Sequence, residues 1–393
     1  MHIVIAALHR PTKPTGVCRH AANLAQCLAD NNQVTKVTLV VGAWQKDYFE
    51  TSFTLSAKIK VLSVDTKNSS VSRNIWFLFG LPKLAKELHA DIVHLSFPLP
   101  FFRSLFPCPV VATIHDLYPY ECPENFGFPN VIFNQLFLRQ CINNSDGLSC
   151  VSKRTLEDLK NYFKSIQPGK TTVVYNYVDF SNVSPKTPKS IDINNSGSFL
   201  LCVAQHRKNK NLDLLIQSYY LLLERGKLKS STKLIIVGAP GPETENIYNQ
   251  IKKLSLQQHV LMLSAIDDGE LLWLYQNCEL FVIPSSTEGF CLPLAEALYL
   301  SCKVVCSDIP IFKEIGSSDC IYFNLQDEPV ENLLQAIIHC LEQPRPQESS
   351  AASCLSKSNI ANQYLKFYSN FVNTFKAKHE LSANRAKEEK SIY

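Results

Sequence analysis

Short apolar runs rich in strand-forming residues recur along this chain with helical segments between them, and this alternation limits the fold more than any other feature. Runs at 3–8, 36–41, 59–64, 91–95, 110–115 and 172–175 read as strands. After the first of them Val17, Ala21, Leu24 and Leu28 recur at helical spacing from Gly16 onward, and helices are expected at about 73–89 and, capped by Ser152, at 153–163. After residue 198 the pattern restarts, with strands expected at 199–204, 234–238, 280–283, 303–306 and 320–323 and helices at 212–223, 267–275 and 329–341. Strands alternating with helices pair in parallel, so the expectation is α/β, with two Rossmann-like domains built on parallel sheets.

The length agrees, because 393 residues exceed one ordinary domain and suit two. The expected division is 1–180 and 199–357, joined by a linker at 181–198 that is rich in Ser, Pro, Asn and Lys and has no periodicity. A last helix is expected at 358–380, followed by a charged tail at 381–393. Apolar residues at 46% and charged residues at 19% are globular values, and no apolar run approaches the roughly 20 residues that span a bilayer. The start, His2 to Leu8, lacks a basic leader and a small-residue cleavage site, which predicts a first strand and a cytoplasmic protein. The 14 cysteines are scattered singly with no C-x2-C pair, as buried thiols would be. A net charge of +4 is too mild to imply nucleic acid.

Chemistry concentrates where the strand at 280–283 ends. Pro284 and the Ser-Ser-Thr after it do not continue a ladder easily, while Pro293 suits a first helical turn. Glu288 then falls in a loop and Glu296 about one turn into the following helix. Two acceptor-only carboxylates beside the amide donors of a helix start suit a polyhydroxylated ligand, although the same carboxylates would also be favourable charges near any helix N-terminus. The loop 205–211, Gln-His-Arg-Lys-Asn-Lys-Asn, is basic and precedes a helix, which suits a diphosphate, against the alternative that a basic loop is simply solvated surface. His115 and Asp116 lie at the carboxyl end of a strand, where open α/β sheets bind ligands, although a lone histidine there more often just satisfies local hydrogen bonds, and the loop 9–16 before the first helix is a weak phosphate signal with a single glycine.

Glu288-Gly-Phe-Cys-Leu-Pro-Leu-Ala-Glu296 resembles the E-x7-E signature of retaining, GT4-like glycosyltransferases of the GT-B fold. Thr15-Gly16-Val17, Asn176-Tyr-Val-Asp179 and Lys210-Asn211-Leu212 resemble further family elements, and the resemblance covers nearly the whole chain, most strongly 234–316. It implies a GT-B pair of domains facing across a cleft, with the helix at 358–380 crossing back to the first. It implies that Glu296 holds the nucleotide ribose, that Glu288 holds the donor sugar, and that Gly289, Phe290, Cys291 and Leu292 line the donor with them. It implies that Lys210 contacts the donor phosphates, that His115 faces the donor sugar, and that Gly16 lies at the phosphate side of the first domain. The chain departs from the family at Thr15 and Tyr177, where glycines are common, at Ser301-Cys-Lys303, and at Ala204-Gln205 in place of Gly-Arg, for which Arg207 is the nearest, displaced substitute.

The expectation is therefore transfer of a hexose such as mannose or glucose from a UDP- or GDP-sugar to a saccharide or lipid-linked glycan in cell-surface polysaccharide synthesis. Retention, no cofactor and no metal are expected with it. The rivals are a sugar-nucleotide epimerase, a phosphorylase with a pyridoxal phosphate lysine, and a non-catalytic partner subunit, because fold alone does not settle function. Arg73, Trp76, Phe77, Phe79, Lys83 and Lys86, with the aromatic run 101–106, suggest peripheral contact with an anionic bilayer, against the alternative that these aromatics pack in the core.

Overall fold

The computed structural model describes residues 1–10, 16–51, 53, 55–181, 183–189, 198–264, 266–347 and 355–391, without the side chains of 379 and 381–391. Thr15, much of the expected linker and the side chains of the charged tail lie outside that description. The chain divides into two compact units, one of Met1–Tyr120, Phe126–Tyr177 and Lys357–Tyr393, the other of Glu121–Asn125 and Val178–Ser356.

The first unit holds β1 (His2–Ala6), β2 (Lys36–Gly42), β3 (Ile59–Val64), β4 (Ile92–Leu95), β5 (Val110–Ile114), β6 (Gly147–Cys150) and β7 (Thr171–Val173) in the order β3-β2-β1-β4-β5-β6-β7. The second holds β8 (Phe199–Val203), β9 (Lys233–Val237), β10 (Val260–Leu263), β11 (Leu280–Ile283), β12 (Val304–Ser307) and β13 (Ile321–Phe323) in the order β10-β9-β8-β11-β12-β13. Pairing is parallel throughout, as Ile3 against Val37 and Phe281 against Val304 show. Each unit is thus an open, doubly wound α/β sheet, with its strand order reversing between β1 and β4 in one and between β8 and β11 in the other.

Two strands, β6 and β10, go beyond the sequence expectation. Gly147 and Ser149 give β6 no apolar run, and the glycine is required by packing: a Cβ there would lie 2.5 Å from the Phe371 ring and 2.7 Å from Phe367. Those rings belong to the helix Lys357–Ser391, which packs Ile360, Tyr364, Leu365 and Tyr368 with Leu24 and Leu28 of the helix Gly16–Ala29 over one face of the first sheet. The other face carries Phe77, Leu81, Phe101 and Leu138.

The expected helix at 73–89 is instead three pieces, Ser70–Ile75, a wide π turn at Trp76–Gly80, and Leu81–Glu87. Gly80 admits the Trp76 indole, which a Cβ would meet at 2.6 Å. The aromatics of this region also need correction. Phe77, Phe101 and Phe106 are buried, the last two edge to face with centroids 5.5 Å apart, because the chain at 101–106 folds into the core beneath it. Arg73 is buried as well, donating to Asn68 Oδ1 at 2.6 Å. Ile75, Phe79, Phe102 and Leu105 are the exposed members, and the Phe79 and Phe102 rings stand 6.1 Å apart.

Candidate active site

β8 and β11 are neighbours at the reversal point of the second sheet, so the chains leaving their carboxyl ends run side by side. Hydrogen bonds tie the two loops together. Ser286 N–H donates to Asn209 O at 2.9 Å, Asn209 Nδ2 donates to Thr287 O at 3.2 Å, and Asn211 Nδ2 donates to Pro284 O at 2.8 Å. Asn211 ends the 3-10 turn Lys208–Lys210 with φ 48°, a left-handed conformation in which asparagine is enriched.

This lacing brings Lys210 to Glu288. Lys210 Nζ lies 2.5 Å from Glu288 Oε1, and the buried Ser285 Oγ donates to the same oxygen at 2.7 Å. The two charged side chains are only 13% and 7% exposed, so each leaves a poorly solvated charge if the other is removed. Burial, helped by the Glu288 charge and opposed by Lys210, pushes the neighbouring Cys202 thiol up to about 12 and raises Cys291 well above its usual range. Both thiols are therefore neutral near pH 7 and poor nucleophiles.

Gly289, Phe290 and Cys291 are buried after Glu288, and Cys291 takes φ 66° and ψ 75° immediately before the helix Leu292–Tyr299. A left-handed non-glycine residue persists only where its surroundings hold it, and such residues cluster at functional sites. Glu296, in the middle of that helix and 4% exposed, accepts from the Tyr275 hydroxyl at 2.9 Å. Tyr275 comes from the helix Asp268–Asn277, whose start is fixed by Asp267 and Glu270 bonding each other's backbone N–H. Burial, then the Glu296 charge, raises the phenol well above its ordinary value, so it remains a donor. Arg207 heads the Lys210 loop, where its carbonyl accepts from Lys210 N–H at 3.0 Å. Its half-buried guanidinium has no partner among the described residues.

Gly238 and Gly241, passed over as site residues in the sequence, shape the same end of the sheet. A Cβ on Gly238 would lie 1.8 Å from Ala204 O, and one on Gly241 would lie 2.4 Å from His206 O, so the loop after β9 presses against the loop after β8 only as glycine. A glycine at a strand end followed by another three residues later was the available signal.

Gly16 and His115 belong to the first unit, apart from the other predicted residues. Gly16 opens its helix and is exposed, and the rest of the expected phosphate loop, 11–15, lies outside the described residues. His115 follows β5 and donates from Nε2 to Ser96 O at 2.7 Å, while its ring meets His20 edge to face with centroids 4.7 Å apart. Burial lowers His115 to about 4, which leaves it neutral near pH 7. Asp116 Oδ1 accepts from Tyr118 N–H at 3.1 Å, turning the chain after the strand. Among the described residues no group of three or more His, Cys, Asp or Glu side chains is placed to hold a metal ion.

Residues 14–182 match the family described as Glycosyltransferase Family 4, and residues 183–353 match Glycosyl transferases group 1. The chain is 29% identical over 245 residues to a Campylobacter jejuni protein named N-acetylgalactosamine-N,N'-diacetylbacillosaminyl-diphospho-undecaprenol 4-alpha-N-acetylgalactosaminyltransferase. That match covers 61% of this chain and 64% of the relative, just under two thirds of its length. It is 23% identical over 290 residues to the Salmonella typhimurium O-antigen chain mannosyltransferase RfbU, covering 72% of this chain and 76% of the other. The crystal structure of Anabaena HepE in complex with UDP and glucose aligns with 98% of this chain and 100% of its own, at a TM-score of 0.61 and 17% identity, a likeness of fold.

Proposed function

The chain belongs to the GT4-like glycosyltransferases of GT-B fold, and from that premise we propose that it moves a hexose such as mannose or glucose from a UDP- or GDP-sugar to a saccharide or lipid-linked glycan, with retention, in cell-surface polysaccharide synthesis. The observation that carries this reading is the contact of Lys210 with Glu288 in loops laced together beside the helix that bears Glu296. One cation and two carboxylates are thereby gathered at the strand ends where a sugar nucleotide would lie.

A diphosphate offers Lys210 a stronger counter-ion than one carboxylate, and sugar hydroxyls offer Glu288 donors that a lysine displaced to phosphate no longer supplies. Donor binding would thus exchange partners on both sides of the pair. Arg207 adds positive charge at the head of the loop, and Glu296, oriented by Tyr275, accepts from the ribose hydroxyls. As the glycosidic bond breaks, negative charge grows on the leaving diphosphate, where Lys210 and Arg207 stabilise it without a divalent ion. The neutral His115 serves the donor sugar as a hydrogen-bonding group.

The names of the relatives support a glycan acceptor, lipid-linked in the Campylobacter protein and an O-antigen chain in the Salmonella one. No helix of the described residues is long and apolar enough to cross a membrane. We place the enzyme in the cytoplasm against the inner face of the membrane, docked by the exposed group of Ile75, Phe79, Phe102 and Leu105. The test is a thermal-shift screen of UDP, GDP, ADP and their sugars, followed by transfer from the stabilising donor in the presence of a chelator with the product anomer read by proton NMR. Stabilisation by one nucleotide series and a retained anomer are expected. Stabilisation by none, or an inverted product, contradicts the proposal.

A further inference from the structure

We infer that His20 is a positioning residue for His115, holding that imidazole in one orientation through a contact that begins at Asn176. The inference rests on the proposed placing of His115 against the donor sugar. His20 lies just over one turn into the helix Gly16–Ala29 and is 4% exposed. Its Nδ1 is 2.6 Å from Asn176 Oδ1. An amide oxygen only accepts, so the hydrogen of that bond is on Nδ1 and the lone pair of His20 is on Nε2.

Among the described residues that Nε2 is buried without a hydrogen-bond partner. A hydrocarbon side chain would fill the space without leaving a polar atom unmatched, so core packing alone does not account for a histidine at this position. Its two contacts do. One is the bond to Asn176, where the chain leaves the first sheet, and Asn23 on the same helix donates to the adjoining Tyr177 O at 3.4 Å. The other is the ring of His115, met at 89° between planes. His115 is held at Nε2 by Ser96 O, an acceptor only, which puts its hydrogen on Nε2 and its lone pair on Nδ1. A carbonyl thus fixes one nitrogen, and the perpendicular ring of His20 restrains rotation of the imidazole.

The test uses the full chain with 15N-labelled histidine, with His115 assigned by the signals lost in His115→Ala. In the native protein His115 shows one protonated and one unprotonated ring nitrogen. In His20→Leu those signals are expected to shift and broaden as the ring samples more than one orientation, and turnover of the stabilising donor falls about tenfold while its KM stays within about twofold. His20→Gln, whose amide can donate to Asn176, and Asn176→Asp, which keeps an acceptor for His20, are expected to recover most of both readouts. Should His20→Leu not fold, Asn176→Ala takes its place, since it withdraws the acceptor and leaves the His20 ring. Native-like His115 signals in a folded His20→Leu or Asn176→Ala protein overturn the inference. Full turnover in His115→Ala contradicts the role of His115 itself, whatever the spectra show, and the inference falls with it.

Discussion

Tyr275 donates its hydroxyl hydrogen to the Glu296 carboxylate at 2.9 Å, and both groups are buried. The bond orients the carboxylate that is assigned to the ribose. Glu296→Gln is therefore expected to weaken nucleoside diphosphate binding about ten- to a hundredfold, the worth of a hydrogen bond to a charged group. Tyr275→Phe, which loosens the carboxylate without removing it, is expected to cost about fivefold. Calorimetric titration checks both, and a Glu296→Gln protein that binds within about twofold of the native one would remove the ribose from this residue.

Glu288→Gln should separate from Glu296→Gln in steady-state kinetics. Glu288 is assigned to the reacting sugar, so the expected loss is in kcat, about ten- to a hundredfold, with donor KM changed less. Equal losses in kcat and KM for the two variants would contradict the division of roles.

Much of this site was legible because its elements announce themselves locally. Pro284 and Pro293 bracket the loop between a four-residue apolar strand and its helix, and the strand and helix form at Leu280–Ile283 and Leu292–Tyr299. The capping residue Ser152 likewise sits where the sequence put it. What could not be read was anything decided by long-range packing. Gly147 became part of a strand because Phe367 and Phe371, more than 200 residues later, need the space a side chain would fill. Lys210 and Glu288, 78 residues apart, meet only because β8 and β11 are neighbours in the sheet. Phe101 and Phe102 read alike in sequence, yet one is buried and the other 46% exposed.

Acid should weaken the first unit before its carboxylates titrate. Burial lowers His94 to about 3 and His9 and His115 to about 4, whereas each has its ordinary value near 6.5 when unfolded. The unfolded chain therefore binds more protons between pH 6.5 and 4, so stability is full above the unfolded value and falls as the pH drops through that window. For the fully buried His94 the expected slope is on the order of 1 kcal/mol per pH unit. Denaturant unfolding between about pH 7 and pH 5 should show the decline, and His94→Gln should flatten it. A native protein equally stable across that range would contradict the account.

Phe79 and Phe102 are the exposed ring pair through which docking on a bilayer is proposed. Replacing both with serine is expected to lower co-sedimentation with anionic vesicles severalfold and leave transfer to a water-soluble acceptor intact. Binding that ignores anionic lipid, or that survives the double substitution, would exclude this face.

The exchange of partners at Lys210 is tested most directly by calorimetry of the nucleoside diphosphate product on four proteins: native, Lys210→Ala, Glu288→Gln and the double variant. If the diphosphate must draw Lys210 away from Glu288, then Glu288→Gln frees the lysine and should tighten product binding about threefold or more even as it lowers turnover. Lys210→Ala should weaken binding at least about tenfold, since it removes the phosphate's cation and leaves the Glu288 carboxylate nearby without that counter-charge. In the double variant the gain from Glu288→Gln as a freed lysine should vanish. Product affinity within about twofold of native in Lys210→Ala, or an equal weakening in both single variants, would contradict the donor site at its centre.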